Sequence, residues 1–117
     1  MSIRGVGIDI EAVGRFRKKS YKNNPSFYKK IFTAGEIKYC LSKADPSQHF
    51  AARFAAKEAV VKTINRRKID LKKIEIVNDK NGKPGIKLSV TSYQLPVFLV
   101  SLSHTKDYAI AICLKKN

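Results

Sequence analysis

The sequence of 117 residues is poor in several residue types, and each shortage argues against a class of protein. Its two cysteines, Cys40 and Cys113, stand far apart and form neither a CxxC motif nor a Cys/His cluster of zinc type. A disulfide framework and a structural zinc site are therefore not expected, and a reducing cytoplasm is the predicted location. Six glycines and four prolines are too few for a collagen-like or disordered chain.

Long apolar stretches are also missing. No run approaches the roughly 20 apolar residues that a membrane span needs. The opening residues MSIRGVGIDI lack the long apolar core and cleavage pattern of a signal peptide. We therefore expect a protein that is neither exported nor embedded in a membrane. The length fits a single domain over residues 1–117, and a hydrophobic share of 44% is enough for a core of its own.

Acidic residues are scarce, since 9 Asp and Glu stand against 24 Lys and Arg, for a formal net charge of +15. Residues 12–35 contain no acid, and their basic residues are Arg15, Arg17, Lys18, Lys19, Lys22, Lys29 and Lys30. Such a surface attracts nucleic acid, an anionic membrane, a phosphate-rich small molecule or a strongly acidic protein. Composition does not choose among these partners. The run favours a docking surface over a solvated face that only aids solubility.

The first regular pattern is the segment GVGIDI at residues 5–10. Its apolar residues alternate with Gly5, Gly7 and Asp9, which is the period of a β-strand. Because glycine weakens a strand unless something approaches it closely, the bare face predicts a helix or a ligand packed beside Asp9. The alternative is a strand end at which Asp9 caps the segment that follows.

The rest of the chain reads as helices followed by two β-hairpins. Thr33 and Glu36 have the spacing of a helix-capping box, and Asn81-Gly82 is a strong hairpin turn. The predicted helices are 11–22, one or two short helices within 26–42 (one of them 34–42), and 48–65, with a loop over 42–48. The predicted strands are 74–77, 86–90, 97–103 and 108–114. The expected class is α+β, with an antiparallel sheet packed against a long central helix.

The central helix carries two charged pairs within FAARFAAKEAVVK at residues 50–62. Arg53 and Lys57 lie about 40° apart around the helix axis, as do Glu58 and Lys62, and the two pairs point to different sides. A helix of this kind normally buries one face, so one pair must lie against packed surface. Burial of charge is costly unless the charge is paired or holds a ligand, which indicates a site.

Asp9 and Glu58 are the acids with the least solvent-like surroundings. Two carboxylates, completed by waters and phosphate oxygens, are a typical ligand set for Mg²⁺. Lys62 would meet the same phosphates, although a plain ion pair between Glu58 and Lys62 explains the spacing equally well.

Three other residues are candidates for anion binding. Arg53 and Lys57 form either a clamp for a second anionic group or a solvated helix edge. His104, in the segment SLSHT, either donates hydrogen bonds or protons to a phosphate or has a purely structural role. The sequence has no phosphate-binding Gly-x-x-x-x-Gly-Lys loop, no dinucleotide fingerprint and no Ser/His/Asp order.

Four motifs follow one another along the chain: GVGIDI, FAARFAAKEAVVK, NGKP and VSLSHT followed by YAIA. Together they resemble the holo-acyl-carrier-protein synthase type of 4′-phosphopantetheinyl transferase. The resemblance covers nearly the whole chain in the same order and implies that fold. It also implies a cytoplasmic, Mg²⁺-dependent enzyme of fatty acid and lipid biosynthesis. Such an enzyme transfers 4′-phosphopantetheine from coenzyme A to a serine of apo acyl carrier protein and releases adenosine 3′,5′-bisphosphate.

The resemblance also implies roles for individual residues. Asp9 and Glu58 would hold Mg²⁺ against the pyrophosphate, and Lys62 would contact phosphate. Either Glu58 or a water molecule held by the cation would deprotonate the attacking serine. The positions that the resemblance places near coenzyme A are Arg53, Lys57, Lys62, His104 and Thr105.

Partners follow from the same resemblance. The family is usually a homotrimer with active sites between subunits. Arg15 matches a position that grips the acidic helix of acyl carrier protein, which gives the basic run a role in orienting that partner. We expect neither nucleic acid nor a membrane as a partner.

One segment departs from the family pattern. After Lys62 the family has a glycine-containing loop, whereas this chain reads KTINRRKIDLKKIEI. Arg66 and Arg67 would replace a backbone cradle for phosphate, or the loop is only a basic connector. The altered loop also leaves open an impaired relative that still binds carrier protein. The remaining alternative is a small basic RNA-binding protein, which the charge favours but which does not explain Asp9 and Glu58.

Overall fold

The computed structural model describes residues 2–64, 69–89 and 97–116. It confirms the α+β class, with antiparallel strands and one long helix. The elements, in chain order, are β1 (Ile3–Ala12), α1 (Val13–Lys18), α2 (Pro25–Ile31), α3 (Ala34–Leu41), α4 (Pro46–Ile64), a 3-10 turn (Leu71–Lys73), β2 (Ile74–Asn78), β3 (Pro84–Leu88), β4 (Val97–His104) and β5 (Tyr108–Lys116).

The strands form two antiparallel sheets, one with the order β1-β5-β4 and one made of β2 and β3. Both predicted hairpins are confirmed. In the β2–β3 turn Gly82 has a φ of 84°, which is favourable only for residues such as glycine. Asp79 closes this turn, since its N–H donates to the Lys83 carbonyl at 2.9 Å.

The predicted helix boundaries are confirmed in part. The capping box is present, because Thr33 Oγ1 accepts from the Glu36 N–H at 3.2 Å and Glu36 Oε1 accepts from the Thr33 N–H at 2.8 Å. The helix predicted from residue 11 begins too early, since β1 continues to Ala12 and pairs with β5. The loop predicted over 42–48 is too long, because α4 begins at Pro46, a favourable first residue for a helix.

Small residues let α4 lie directly on the three-stranded sheet. A Cβ atom added at Gly7 would lie 2.0 Å from the Ala59 carbonyl oxygen, and one at Gly5 would lie 2.7 Å from that of Thr63. Ala109 and Ala111 of β5 are buried on the same side. The close approach predicted beside Asp9 is therefore confirmed, and a helix makes it.

Two apolar clusters hold α4 in place. Aromatic side chains of α1, α2 and the first half of α4 form one cluster, in which the rings of Tyr28 and Phe50 lie 4.6 Å apart. The second cluster joins the alanines in the later part of α4 to Ile74 and Ile76 of β2. None of the helices in the described ranges is long and apolar enough to cross a membrane.

The opposite face of the three-stranded sheet is apolar and exposed. The side chains on this outer sheet face are 38–61% exposed, and they are Val6, Ile8, Ile10, Leu99, Ile110 and Ile112. Strand alternation turns them away from α4. An exposed apolar area of this kind marks an interaction surface.

Candidate functional site

Asp9 and Glu58 approach each other where β1 crosses α4. The contact between Gly7 and Ala59 fixes the two backbones, and Asp9 follows Gly7 by two residues on the same strand face. The Lys62 ammonium lies 3.4 Å from Asp9 Oδ1 and donates to the Ile8 carbonyl at 2.7 Å. We call Asp9, Glu58 and Lys62 the carboxylate site.

The charges of this site influence one another. Burial raises the pKa of Glu58, and the negative charge of Asp9 raises it further, whereas Lys62 and Arg15 lower it. The structure therefore brings together the two acids that the sequence singled out, although they are 49 residues apart in the chain.

Glu11 is a third acid at this place, and the sequence analysis missed it. Its side chain is 15% exposed. Burial raises the pKa of Glu11 to about 7, and a hydrogen bond with Asp9 and the charge of Asp9 act in the same direction. The signal was available, since residues 9 and 11 share a face of a strand. Because residue 11 was assigned to a helix, the face that it shares with residue 9 was not recognised.

The donor set fits a divalent cation that takes the rest of its ligands from elsewhere. With the acids ionised, Asp9 Oδ2 is buried and has no hydrogen-bond partner in the described part of the chain. Either a bound cation or a proton shared with Glu11 would give this oxygen a partner. Among the described residues, no group of three or more His, Cys, Asp and Glu side chains is arranged to hold a metal alone. Mg²⁺ seldom uses an all-protein cage and normally keeps water and substrate oxygens.

Lys57 lies on the other side of α4, fully buried. Its ammonium is 2.7 Å from Glu36 Oε1 and donates to the carbonyls of Leu71 and Ile74 at 2.9 and 2.6 Å. Burial lowers the pKa of Lys57, and the charge of Glu36 opposes that effect. All three N–H groups are used within the protein, so Lys57 would have to give up one of these contacts to reach coenzyme A, and its predicted contact with coenzyme A stays a prediction. This lysine joins α4 to α3 and β2.

Arg53 is also buried, at 3% exposure, but it retains a free donor. Its guanidinium lies 3.8 Å from the centre of the Tyr39 ring, and Nη2 donates to Asn78 Oδ1 at 2.8 Å. Nε is buried without a partner among the residues described here. Arg53 therefore remains a candidate for anion binding, whereas the predicted clamp shared with Lys57 is not formed.

The turn after β4 is held against the beginning of α4. The exposed His104 ring lies 5.4 Å from the His49 ring, and the Gln48 side chain donates to the Thr105 carbonyl at 3.3 Å. Thr105 Oγ1 accepts from the Tyr108 N–H at 3.1 Å, so this hydroxyl stabilises the turn. His49, which the sequence analysis did not single out, links His104 to α4.

Arg15 lies beside the carboxylate site. It is half-exposed, its Nη1 is 3.4 Å from Glu11 Oε1, and its guanidinium lies 5.1 Å from the Phe54 ring centre. Arg17 differs, because Asp45 holds its guanidinium with contacts of 3.0 and 2.7 Å. The exposed positive residues of this region, called the basic surface below, are Arg15, Lys18, Lys19, Lys22, Lys29 and Lys30.

The predicted site residues thus fall into three groups. Asp9, Glu58 and Lys62 meet, with Arg15 beside them. His104, Thr105 and Arg53 lie along the first turns of α4, while Lys57 is enclosed. The predicted role of Arg66 and Arg67 lies outside the described residues.

Comparison with known proteins identifies one protein family over nearly the whole chain. Residues 5–113 match the 4′-phosphopantetheinyl transferase superfamily. A holo-[acyl-carrier-protein] synthase of Thermodesulfovibrio yellowstonii is 46% identical over 110 residues, covering 93% of this chain and 95% of the relative. The synthase of Geobacter sp. is 40% identical over 119 residues, covering 94% and 95%.

A solved structure is also similar. It is a holo-(acyl-carrier-protein) synthase from Bacillus anthracis, described as in complex with CoA (3′,5′-ADP). The TM-score is 0.80 at 30% identity, with 98% of each chain covered. The chain therefore belongs to the 4′-phosphopantetheinyl transferase superfamily and, within it, to the holo-acyl-carrier-protein synthase type.

Proposed function

We propose that this protein transfers 4′-phosphopantetheine from coenzyme A to a serine of apo acyl carrier protein, yielding holo carrier protein and adenosine 3′,5′-bisphosphate with Mg²⁺ as cofactor. This reaction would support fatty acid and lipid biosynthesis. The observation that carries the proposal is the meeting of Asp9 and Glu58 beside Lys62, with a buried Asp9 oxygen that, when Glu11 is ionised, lacks a partner among the described residues. The relatives named above act as support, because their names state this activity.

Each residue of the carboxylate site would have its own role in the transfer. Asp9 and Glu58 would hold the Mg²⁺. When bound, Mg²⁺ supplies a Lewis acid that offsets charge on the pyrophosphate. Lys62, fixed by the Ile8 carbonyl, adds a positive charge at the same place. The serine proton would pass to Glu58 or to water.

Coenzyme A would extend along α4 from this site. Arg53 offers its Nε, which has no partner in the described part of the chain, and His104 is exposed at the end of β4. Either group could donate a hydrogen bond to a phosphate oxygen. The backbone beside His104 is already fixed by Thr105 and Gln48, so little order would be lost on binding.

The carrier protein would dock on the basic surface. Its six residues are exposed, and Arg15 lies next to the carboxylate site, where the attacking serine must arrive. An acidic partner is attracted and oriented by such a charge pattern.

We further propose a homotrimer with active sites between subunits. The outer sheet face supplies an apolar surface for assembly, and closed cyclic symmetry would bury it in every subunit. Sedimentation equilibrium would then give three times the chain mass of 13.2 kDa.

Other observations bear on location and on the alternative function. Cys40 and Cys113 are free and buried, which agrees with a reducing cytoplasm. The RNA-binding alternative needs exposed aromatic rings for base stacking. Among the described phenylalanines and tyrosines only Tyr108 is largely exposed, at 56%, and a single ring does not form a stacking surface, so we favour the transferase.

The test is to incubate the protein with coenzyme A, Mg²⁺ and an apo acyl carrier protein, and then to weigh the carrier by mass spectrometry. We expect a gain of one phosphopantetheine that a chelator and Asp9→Ala both abolish. Asp45→Ala is the matched control, since it removes an acid from an exposed ion pair. Salt-sensitive RNA binding without any transfer would overturn the proposal.

A further inference from the structure

A groove on the helical side of the protein lies apart from the carboxylate site, and among its described lining residues only Lys29 also belongs to the basic surface. It lies between α2, α3 and the 3-10 turn and has a volume of about 660 Å³. Its lining residues, which define what we call the lysine groove, are Tyr21, Lys29, Phe32, Ala34, Ile37, Lys38, Leu41, Ser42 and Lys72. None belongs to the carboxylate site or to the three-stranded sheet. The volume is within the range of small-molecule pockets.

The floor of the groove is apolar. Phe32, which is fully buried, and Ile37, which is 7% exposed, line it from the buried aromatic cluster. Leu41, the last residue of α3, is 46% exposed although it is a large apolar side chain. An apolar tail lying along this floor would remove Leu41 from water, which is favourable.

The rim carries charge of one sign. Lys29, Lys38 and Lys72 are exposed, and the nine lining residues include no acid. Glu36, the acid of α3, is turned inward and paired with Lys57. The groove thus combines an apolar floor with three ammonium groups that have room for an anionic head group.

The N-terminus of α3 does not supply a phosphate site here. Its capping box already occupies the N–H groups of Thr33 and Glu36. Glu75 Oε2 also accepts from Thr33 Oγ1 at 2.7 Å, which places a carboxylate near that helix end. The basic residues among the described lining of the groove are all lysines, and their ammonium groups offer point charges to an anion.

We propose that the lysine groove binds a fatty acid, with the carboxylate among Lys29, Lys38 and Lys72 and the apolar tail on Ile37 and Leu41. Charge complementarity selects an anionic head group, and the apolar floor requires a tail. The proposal does not depend on the transfer reaction.

The experiment is calorimetric titration with decanoate, below the concentration at which it forms micelles. We expect saturable binding of one decanoate per chain. Butanoate retains the head group without the tail and 1-decanol retains the tail without the charge, so both should bind at least about tenfold more weakly. Absence of saturable binding, or equal binding of all three compounds, would overturn the proposal.

Two variants test the location. Leu41→Glu should weaken decanoate binding at least about tenfold, and so should the double variant Lys38→Glu with Lys72→Glu. Matched controls outside the groove are Val77→Glu, at a residue 40% exposed, and Lys80→Glu with Lys83→Glu in the β2–β3 turn. Circular dichroism would show that every variant is folded. Equal loss in variants and controls would show unspecific attraction and contradict the proposal.

The transfer assay on the same samples separates this inference from the proposed function. Protein that binds decanoate in the groove without modifying a carrier protein would contradict only the proposed function. Leu41→Glu that raises KM for the carrier protein, with no decanoate binding to the parent protein, would show a protein-docking groove instead and would overturn the fatty-acid site.

Discussion

Each side of α4 carries charged residues, and the two sides differ in how deeply these residues are buried and how completely they are hydrogen-bonded. On one side Lys57 is fully buried and all its donors are used by Glu36 and two backbone carbonyls. On the other side Lys62 is 53% exposed, and one buried oxygen of the neighbouring Asp9 has no hydrogen-bond partner in the ranges that the structure describes. A buried charge whose hydrogen bonds are complete stabilises the fold, whereas incomplete hydrogen bonding leaves room for a ligand.

The two sides are also connected. Lys57 and Glu58 are adjacent, so a helix that turns one toward α3 and β2 turns the other toward β1. The buried pair of Lys57 with Glu36 therefore sets the rotation of α4 and with it the direction of Glu58. The buried contacts of Lys57 therefore position Glu58 on the exposed side of α4.

The largest expected effect is on the enclosed side. Lys57→Met leaves Glu36 charged and buried, which should lower the free energy of unfolding by about 3–5 kcal/mol. Urea denaturation would measure it. The double variant Glu36→Leu with Lys57→Met should recover most of the loss, because no unpaired charge remains. Unchanged stability together with a higher KM for coenzyme A would instead support the ligand role for Lys57.

On the open side, Glu58→Gln should act on catalysis and hardly on stability. The substitution keeps the shape and removes the charge that would hold Mg²⁺, so kcat/KM for carrier modification should fall at least about 100-fold. The free energy of unfolding should stay within about 0.5 kcal/mol of the parent, or rise, since Glu58 has no hydrogen bond or ion pair with a described residue and burial disfavours its charge. A rate within a factor of three would contradict the role of Glu58.

The packing of β1 on α4 is tested at Gly7. A methyl group there meets the Ala59 carbonyl oxygen at 2.0 Å, so Gly7→Ala should lower the free energy of unfolding by about 1–3 kcal/mol and also reduce transfer. Gly14→Ala is the control, because nothing lies within 4 Å of the added atom. Thermal denaturation with both variants checks this, and equal melting temperatures would exclude tight packing of β1 on α4.

The smallest effect concerns pH. Burial raises the pKa of Glu11 from 4.5 to about 7, with Asp9 acting in the same direction. Between these values the folded protein keeps a proton that the unfolded chain has lost, so this group's contribution to stability falls as pH rises and levels off above about 7. Glu11→Gln should remove that decline in urea denaturation without divalent cations. Parallel pH profiles of parent and variant would contradict the shift.

The sequence predicted the parts of the fold and site that depend on local pattern. Glycine alternation placed Asp9 on a bare strand face, and the capping box of Thr33 and Glu36 marked the beginning of α3. The partners of Lys57 could not be predicted, because Glu36 and the carbonyls of residues 71 and 74 come from distant segments that only the fold brings together.

Boundaries and faces were harder to predict than elements. Residue 11 was assigned to a helix, because the strand pattern does not show where pairing with β5 ends, and Glu11 was missed for that reason. Alternation in β1 also shows two faces without telling which one meets solvent. In this protein the isoleucine face of β1 is the exposed one, since the glycine face is needed against α4.

The central claim is that Asp9 and Glu58 share one divalent cation at the place where coenzyme A binds. Mn²⁺, a paramagnetic substitute for Mg²⁺, can be counted by electron paramagnetic resonance in the presence of coenzyme A. We predict one tightly bound Mn²⁺ per chain in the parent protein and in Asp45→Asn, and loss of that ion in both Asp9→Asn and Glu58→Gln. Equal Mn²⁺ binding in all four proteins, or none in the parent, would contradict it.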